Sequence, residues 1–584
     1  MTRCYNGIPG VLAMCLTVAV IAATADPRDI ARGTAIYEHG YCDQPYVVIA
    51  PDGTWICVFT TSGEQEGARS QYIVATRSED QGRTWSEPVP IESPDGPEAS
   101  WAMPLITPFG RVYVFYIFNG DRINALPDGR SARADMLGWY CYRYSDDGGR
   151  TWSERLRLPV RITACDRGND WGGAVQIMWG IGKPIVSGND VFFGFTKLGR
   201  YMLEDGEGWF FRSGNILTER DPARLHWEML PEGDHGLRAP EFGSSQEEHN
   251  LVPLANGDLY CIYRTTCGFP VESYSRDGGR TWSTPAIARY ANGRPIRNPR
   301  ACPRIWRTQS GRFLLWFHNH GGKDFRDRNP AWVSGGVERN GRIQWSQPEI
   351  LLYSDDLSYE TGRLSYPDLI EQDGRYWVTT TQKTRASIHE VDLILLEGLW
   401  NQDDPGAIAV PSPMLALEAP LPDECPMPSL PRLAEGGFSI VLDATFDALI
   451  PNQALLDSRD AAGRGIALQV SSENTLELRL SDGERTAFWD SEPGMVRPGV
   501  RHHIAIIADG GPNIILFVVD GVLCDGGDAR QYGWGRFPPE LDDVNGTAWR
   551  VAPHFQGRLH SLRIYDRPLR VAEAIAARSA PPKR

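Results

Sequence analysis

Three near-copies of one eight-residue phrase set the strongest limit on how this chain folds: SEDQGRTW from Ser78, SDDGGRTW from Ser145 and SRDGGRTW from Ser275. Their shared form, Ser-x-Asp-x-Gly-x-Thr-Trp, places tryptophans at 85, 152 and 282, and a degenerate copy, ERNGRIQWSQPE, places another at 345. The successive gaps are 67, 130 and 63 residues, so the period lies in the sixties and one unit lacks its phrase, near SGNILTERDP. A period of this length marks one supersecondary unit used repeatedly.

Each unit has the same internal grammar: a strand-like run, a turn, and a second run. YVVIAPDGTWICVFTT, PLITPFGRVYVFYIFN, NLVPLANGDLYCIYRT, RIWRTQSGRFLLWFHN and LIEQDGRYWVTTTQ all follow it. Their Asp-Gly and Asn-Gly centres are hairpin turns, because glycine accepts a positive φ. Four-stranded units around an axis meet these requirements, and about six fit the available length. The expected fold is all-β, a six-bladed β-propeller over residues 30–403 followed by a β-sandwich jelly roll. The repeated phrase is scaffolding: its Asp and Ser/Thr bind backbone amides, its Gly permits the turn, and its Trp packs beneath the hairpin.

Composition narrows the function. With 584 residues the chain exceeds one core, and 60 Gly with 43 Pro suit short strands and turns. The net charge of -15 argues against a nucleic-acid partner, which would need clustered Lys and Arg. Residues 1–25 read as a signal peptide: Arg3, the apolar run VLAMCLTVAVIAA, then Ala23-Thr24-Ala25 as a small-residue cleavage site. The mature chain is thus expected to be soluble, secreted or periplasmic, with no integral membrane segment. Nine cysteines follow the signal; Cys57, Cys141 and Cys261 sit in strand-like apolar runs, and none has zinc spacing. Few disulfides and no structural zinc are expected.

Eight prolines between Pro405 and Pro431 mark residues 404–434 as a stiff linker by composition. Beyond it, FSIVLDATF, GIALQVSSENTLELRLSD and HHIAIIADGGPNIILFVVDGVL alternate apolar and polar residues as strands do. Together with GRLHSLRIYDRPL, this pattern over residues 435–580 resembles a concanavalin A-like domain of laminin-G type. The resemblance implies either carbohydrate binding or packing against a catalytic neighbour, and the sequence shows no clear aromatic platform.

Ser-x-Asp-x-Gly-x-Thr-Trp is the Asp-box, and its repetition over about residues 35 to 400 resembles the sialidase (neuraminidase) superfamily. That resemblance implies a neutral Tyr nucleophile activated by a Glu base, because a carboxylate nucleophile would be repelled by the substrate's own carboxylate. It also implies three arginines gripping that carboxylate and an Asp as general acid/base. Glu248, in EEHNLVPLANGDLYCIYRT, matches the base, and Arg264 ends the following strand where the family places an arginine. Tyr366, in RLSYPDLIEQDG, stands at the nucleophile's distance before the last hairpin turn. The third arginine is Arg300 or Arg304, in NPRACPRIW.

The chain departs from the family in two places. Where the first blade should open with an arginine, it has Asp43-Gln44-Pro45, and the loop before the first box offers only Glu64 and Glu66 as carboxylates. Asp43 is therefore a candidate for the acid/base or for anchoring a sugar hydroxyl, with Gln44 beside it as a substrate-binding candidate. His318, in WFHNHGG, is a further one. These assignments describe an exo-acting glycoside hydrolase that removes a terminal sialic or other acidic sugar from a glycan, with no metal or organic cofactor. Two alternatives stay open: a lyase or hydrolase acting on uronic-acid-containing polysaccharide, and a non-catalytic carbohydrate-binding protein.

Overall fold

The computed structural model describes residues 26–426 and 428–578. The expected export signal lies outside them. Residues 34–391 form six antiparallel sheets of four or five strands, arranged in chain order. The sixth sheet takes its outermost partner from the other end of this region: strand Thr34–Tyr37 pairs with Ala386–Val391. The sixth sheet also meets the first through buried polar bonds. Val47 N–H donates to Asp368 Oδ2 at 2.8 Å, and Thr379 Oγ1 to the Pro45 carbonyl at 2.7 Å.

The repeated phrase forms the same turn each time. In the second copy Gly149 N–H donates to Ser145 Oγ at 2.8 Å, and Asp147 accepts from the Thr151 amide at 2.9 Å and its hydroxyl at 2.6 Å. The first and third copies repeat these bonds through Ser78, Asp80 and Thr84, and through Ser275, Asp277 and Thr281. The third sheet, the unit that lacks the phrase, uses an amide instead: Ser213 Oγ donates to Asn215 Oδ1 at 3.2 Å, and His226 N–H reaches the same oxygen at 3.1 Å. Trp282 packs on Phe210 of that sheet, with ring centroids 4.6 Å apart and the planes tilted by 34°.

Among the described residues three short α-helices accompany the strands: α1 (Ala164–Gly168), α2 (Leu393–Trp400) and α3 (Val571–Ala577). Asp392 caps α2, accepting from Ile394 N–H at 2.8 Å, and the helix buries Leu395, Leu396, Leu399 and Trp400 against the fifth and sixth sheets. Among the described residues no helix is long and apolar enough to cross a membrane. All cysteines of the described residues are free thiols, and all but Cys267 are buried.

The second domain is a sandwich of a seven-stranded and a six-stranded sheet around its own apolar core. The proline-rich stretch expected as a linker is woven into it. Leu415–Glu418 pairs with Gly557–Tyr565, and Glu424–Cys425 pairs with Trp549–Val551, so the segment adds an edge strand to each sheet. Proline suits an edge, where a missing N–H breaks no ladder bond. One apolar cluster joins the two domains, combining Ile305, Phe317 and Trp332 with Val441, Ile507 and Leu516. Arg28 bonds Asp509 across the junction at 2.7 Å, and Arg294 bonds Glu492 at 2.9 Å.

Candidate active site

The leading strands of three sheets share a local irregularity. Their pairing register breaks between Asp43 and Tyr46, between Ser100 and Met103, and between Glu247 and Asn250. Each break holds a non-glycine residue with positive φ: Gln44 at 58°, Trp101 at 68° and Glu248 at 59°. Tyr366, ahead of the sixth sheet's strand Leu369–Gln372, has φ 44°. Such backbone states cost about 1–3 kcal/mol each and persist where surrounding structure enforces them. A bulge re-aims a side chain, and Trp101, Glu248 and Tyr366 all turn into one cavity of about 250 Å³.

At its floor the Tyr366 hydroxyl donates to Glu248 Oε1 at 2.8 Å. Burial, reinforced by the Glu248 charge, pushes the phenol well above its ordinary range, so it stays protonated until a base takes the proton. The second Glu248 oxygen is buried and has no protein partner among the described residues. Arg264 Nη1 approaches Glu248 Oε1 at 2.9 Å, and the Arg264 guanidinium also bonds Glu247, whose other oxygen accepts from Arg300 at 2.9 Å. Glu247 thus holds two arginines side by side at the cavity wall.

A third guanidinium comes from a residue outside the sequence-based candidates. Arg328 is buried, donates to Ser365 Oγ and to the Arg300 carbonyl at 3.2 Å each, and lies 6.0 Å from the Tyr366 ring centroid. It has no carboxylate partner among the described residues, and its Nε has no partner. Lys383 places its ammonium 4.6 Å from the Tyr366 ring centroid, ion-paired to Asp43 and 3.2 Å from Glu66. Lys383, from the turn between the second and third strands of the sixth sheet, thus brings a cation beside Tyr366.

Asp43 itself is fully buried behind Lys383, accepts from Tyr41 Oη at 3.0 Å, and does not line the cavity. Burial raises its carboxyl, with Lys383 opposing the rise. Glu66 does line the cavity. Burial works to raise it, but Lys383, Arg133 and Arg363 outweigh burial and hold its carboxyl well below the usual carboxylate range.

Three other sequence candidates lie away from the cavity lining. Arg304 is buried beyond the floor, donating to the Ile181 carbonyl at 2.8 Å and Asn250 Oδ1 at 2.7 Å. Gln44 is buried, neither of its amide atoms has a partner among the described residues, and its side chain does not line the cavity. His318 is buried, 3.3 Å from the Pro330 carbonyl through Nδ1; burial and then Arg328 push its pKa well below the ordinary range, so the ring is neutral. Sequence reasoning missed Trp101, Arg328, Arg363 and Lys383, and named Glu66 only as a carboxylate of the loop before the first box. For Lys383 a signal was present in TTTQKTR, a basic residue directly after the last unit's second strand.

Residues 211–378 match the model described as a BNR repeat-like domain, and residues 143–154 the BNR/Asp-box repeat. Residues 424–575 match the concanavalin A-like lectin/glucanases superfamily. Among solved structures, a Dyadobacter fermentans protein of unknown function is 16% identical, covering 62% of this chain and 97% of its own, with a TM-score of 0.45. Trypanosoma rangeli sialidase in complex with sialic acid is 12% identical, covering 94% and 96%, with a TM-score of 0.42. The intramolecular trans-sialidase from Ruminococcus gnavus is 14% identical, covering 63% and 99%, with a TM-score of 0.43.

Proposed function

For a chain that joins BNR/Asp-box repeats to a concanavalin A-like domain, we propose an exported glycoside hydrolase that removes a terminal acidic sugar, sialic acid first among them, from a glycan. One observation carries the reading: a buried, neutral phenol bonded at 2.8 Å to a carboxylate, in a cavity that also holds an arginine with no carboxylate partner among the described residues. Arg328, with Arg264 and Arg300 beside it, receives the substrate carboxylate as a planar fork receives two oxygens.

Tyr366 Oη attacks the anomeric carbon while its proton passes to Glu248, and the bond from that carbon to the leaving oxygen breaks. A neutral nucleophile avoids repulsion by the substrate's anion. The leaving oxygen takes its proton from solvent, because Glu66, the second carboxyl lining the cavity, is held ionised by Lys383, Arg133 and Arg363. Water then displaces the tyrosine from the anomeric carbon and gives up one proton to solvent, Glu248 returns the phenol proton to Tyr366, and the sugar leaves with retained configuration. Asp43 acts from behind, by fixing Lys383.

The test is hydrolysis of a fluorogenic aryl sialoside beside a panel of neutral and uronic glycosides. Tyr366→Phe and Glu248→Gln are each expected to lower kcat by about 10²–10⁴-fold, with the mass of a glycosyl adduct on the Tyr366 peptide seen only in the parent protein. Full activity of Tyr366→Phe would sink the nucleophile assignment. An unsaturated product absorbing in the near ultraviolet would replace hydrolysis by elimination.

A further inference from the structure

Beside the candidate active site lies a second cavity, of about 440 Å³, whose walls come from both domains. The β-sandwich contributes Trp489, Tyr532 and Trp534; the repeat region contributes Leu357, and also Arg328, Tyr359 and Arg363, which line the first cavity too. The two spaces therefore share a wall and open side by side.

The aromatic groups here are held in place. Tyr532 and Trp534 meet edge to face with centroids 4.9 Å apart, and Tyr532 Oη donates to Asp327 Oδ2 at 2.8 Å across the junction. Trp489 leans on Gly535, where a Cβ would strike its ring, and donates from Nε1 to the Gly533 carbonyl at 3.3 Å. Arg536, donating to the Asn329 carbonyl at 2.6 Å, lies 5.3 Å from the Trp534 ring centroid. Rigid aromatic faces alternating with fixed donors suit a sugar ring, which offers C–H faces and hydroxyl edges. Leu357 stands 60% exposed at the rim, an apolar residue left uncovered by either domain.

We propose that this junction groove binds the sugar units next to the terminal residue that is cleaved, so that the concanavalin A-like domain supplies part of the substrate site. The occupant follows from continuity: a glycan whose acidic end reaches Arg328 must leave the first cavity past its mouth, and Tyr359 and Arg363 form the wall on both sides of that exit. The inference rests on the glycosidase reading for its reaction, and on the groove alone for binding.

The experiment compares two substrates that share a terminal residue, an aryl sialoside and 3′-sialyllactose. Trp489→Ala is expected to lower kcat/KM for the trisaccharide by about tenfold, through KM, while leaving the aryl sialoside within about twofold. Leu357→Arg, an exposed change that obstructs the rim, is expected to shift the ratio the same way. Equal effects on both substrates, or on neither, overturn the groove. If the parent protein hydrolyses no sialoside, the glycosidase reading falls by itself. The groove is then decided by titrating sialylated and neutral oligosaccharides of three or more units: binding lost in Trp489→Ala supports it, and binding unchanged or absent overturns it.

Discussion

Asp43 and Lys383 form a pair with consequences for both stability and binding. Both side chains are buried, at 1% and 6% exposure, and they come from strands and loops 340 residues apart. Removing one partner leaves a buried charge uncompensated, which typically costs about 3–5 kcal/mol. Lys383→Met is therefore expected to lower Tm substantially, and Asp43→Asn with Lys383→Met to recover most of that loss. If Lys383 also helps hold the substrate anion beside Tyr366, the double variant keeps its fold but raises KM. Thermal melts and steady-state kinetics on the same four proteins give the cycle. A double variant with parental KM would reduce Lys383 to a structural ion pair.

At the scale of elements, two devices recur with different purposes. The Asp-box turn spends its polar groups on its own backbone, and none of its residues lines the candidate cavity. Ser145→Ala deletes the acceptor of Gly149 N–H inside a buried turn and is expected to cost about 1–2 kcal/mol with kcat/KM unchanged, read by chemical denaturation beside the aryl sialoside assay. Lost activity in a folded Ser145→Ala protein would contradict a purely architectural box. The bulge in the leading strands of three sheets has the opposite character. Positive φ at Trp101 and Glu248 re-aims side chains that regular pleating would send elsewhere, so backbone strain is placed where the cavity is built.

For the whole molecule, the junction between domains carries a pH-dependent term. Glu349 is buried in the fifth sheet and accepts from the Val571 and Ala572 amides, at 2.9 and 2.8 Å, at the start of α3 in the second domain. Burial outweighs those two bonds and raises its pKa to about 7. Its folded value thus lies above its unfolded value of 4.5, so its contribution is fully present below the unfolded value and is lost as pH rises toward 7. Glu349→Gln is expected to match the parent's Tm near pH 5 and to exceed it increasingly toward pH 7.5, checked by melts across that range. A constant difference would show that ionisation of Glu349 does not matter to docking.

The sequence by itself determined the repeating sheet unit, the concanavalin A-like second domain and the candidacy of Tyr366 and Glu248, because each is written within one hairpin or one short phrase. Spacing from a turn glycine is a local quantity, and Tyr366 and Glu248 both stand at fixed offsets from such turns. Tertiary structure alone decided the rest. Lys383 comes beside Tyr366 because the sixth sheet packs on the first, and Arg328 lies near the same ring from a loop with no motif. The proline-rich stretch looked like a spacer because composition cannot register the edge strands waiting to pair with it. Trp489, Tyr532 and Trp534 show no platform in the linear order, since the groove exists only where two separately folded domains bury a common face.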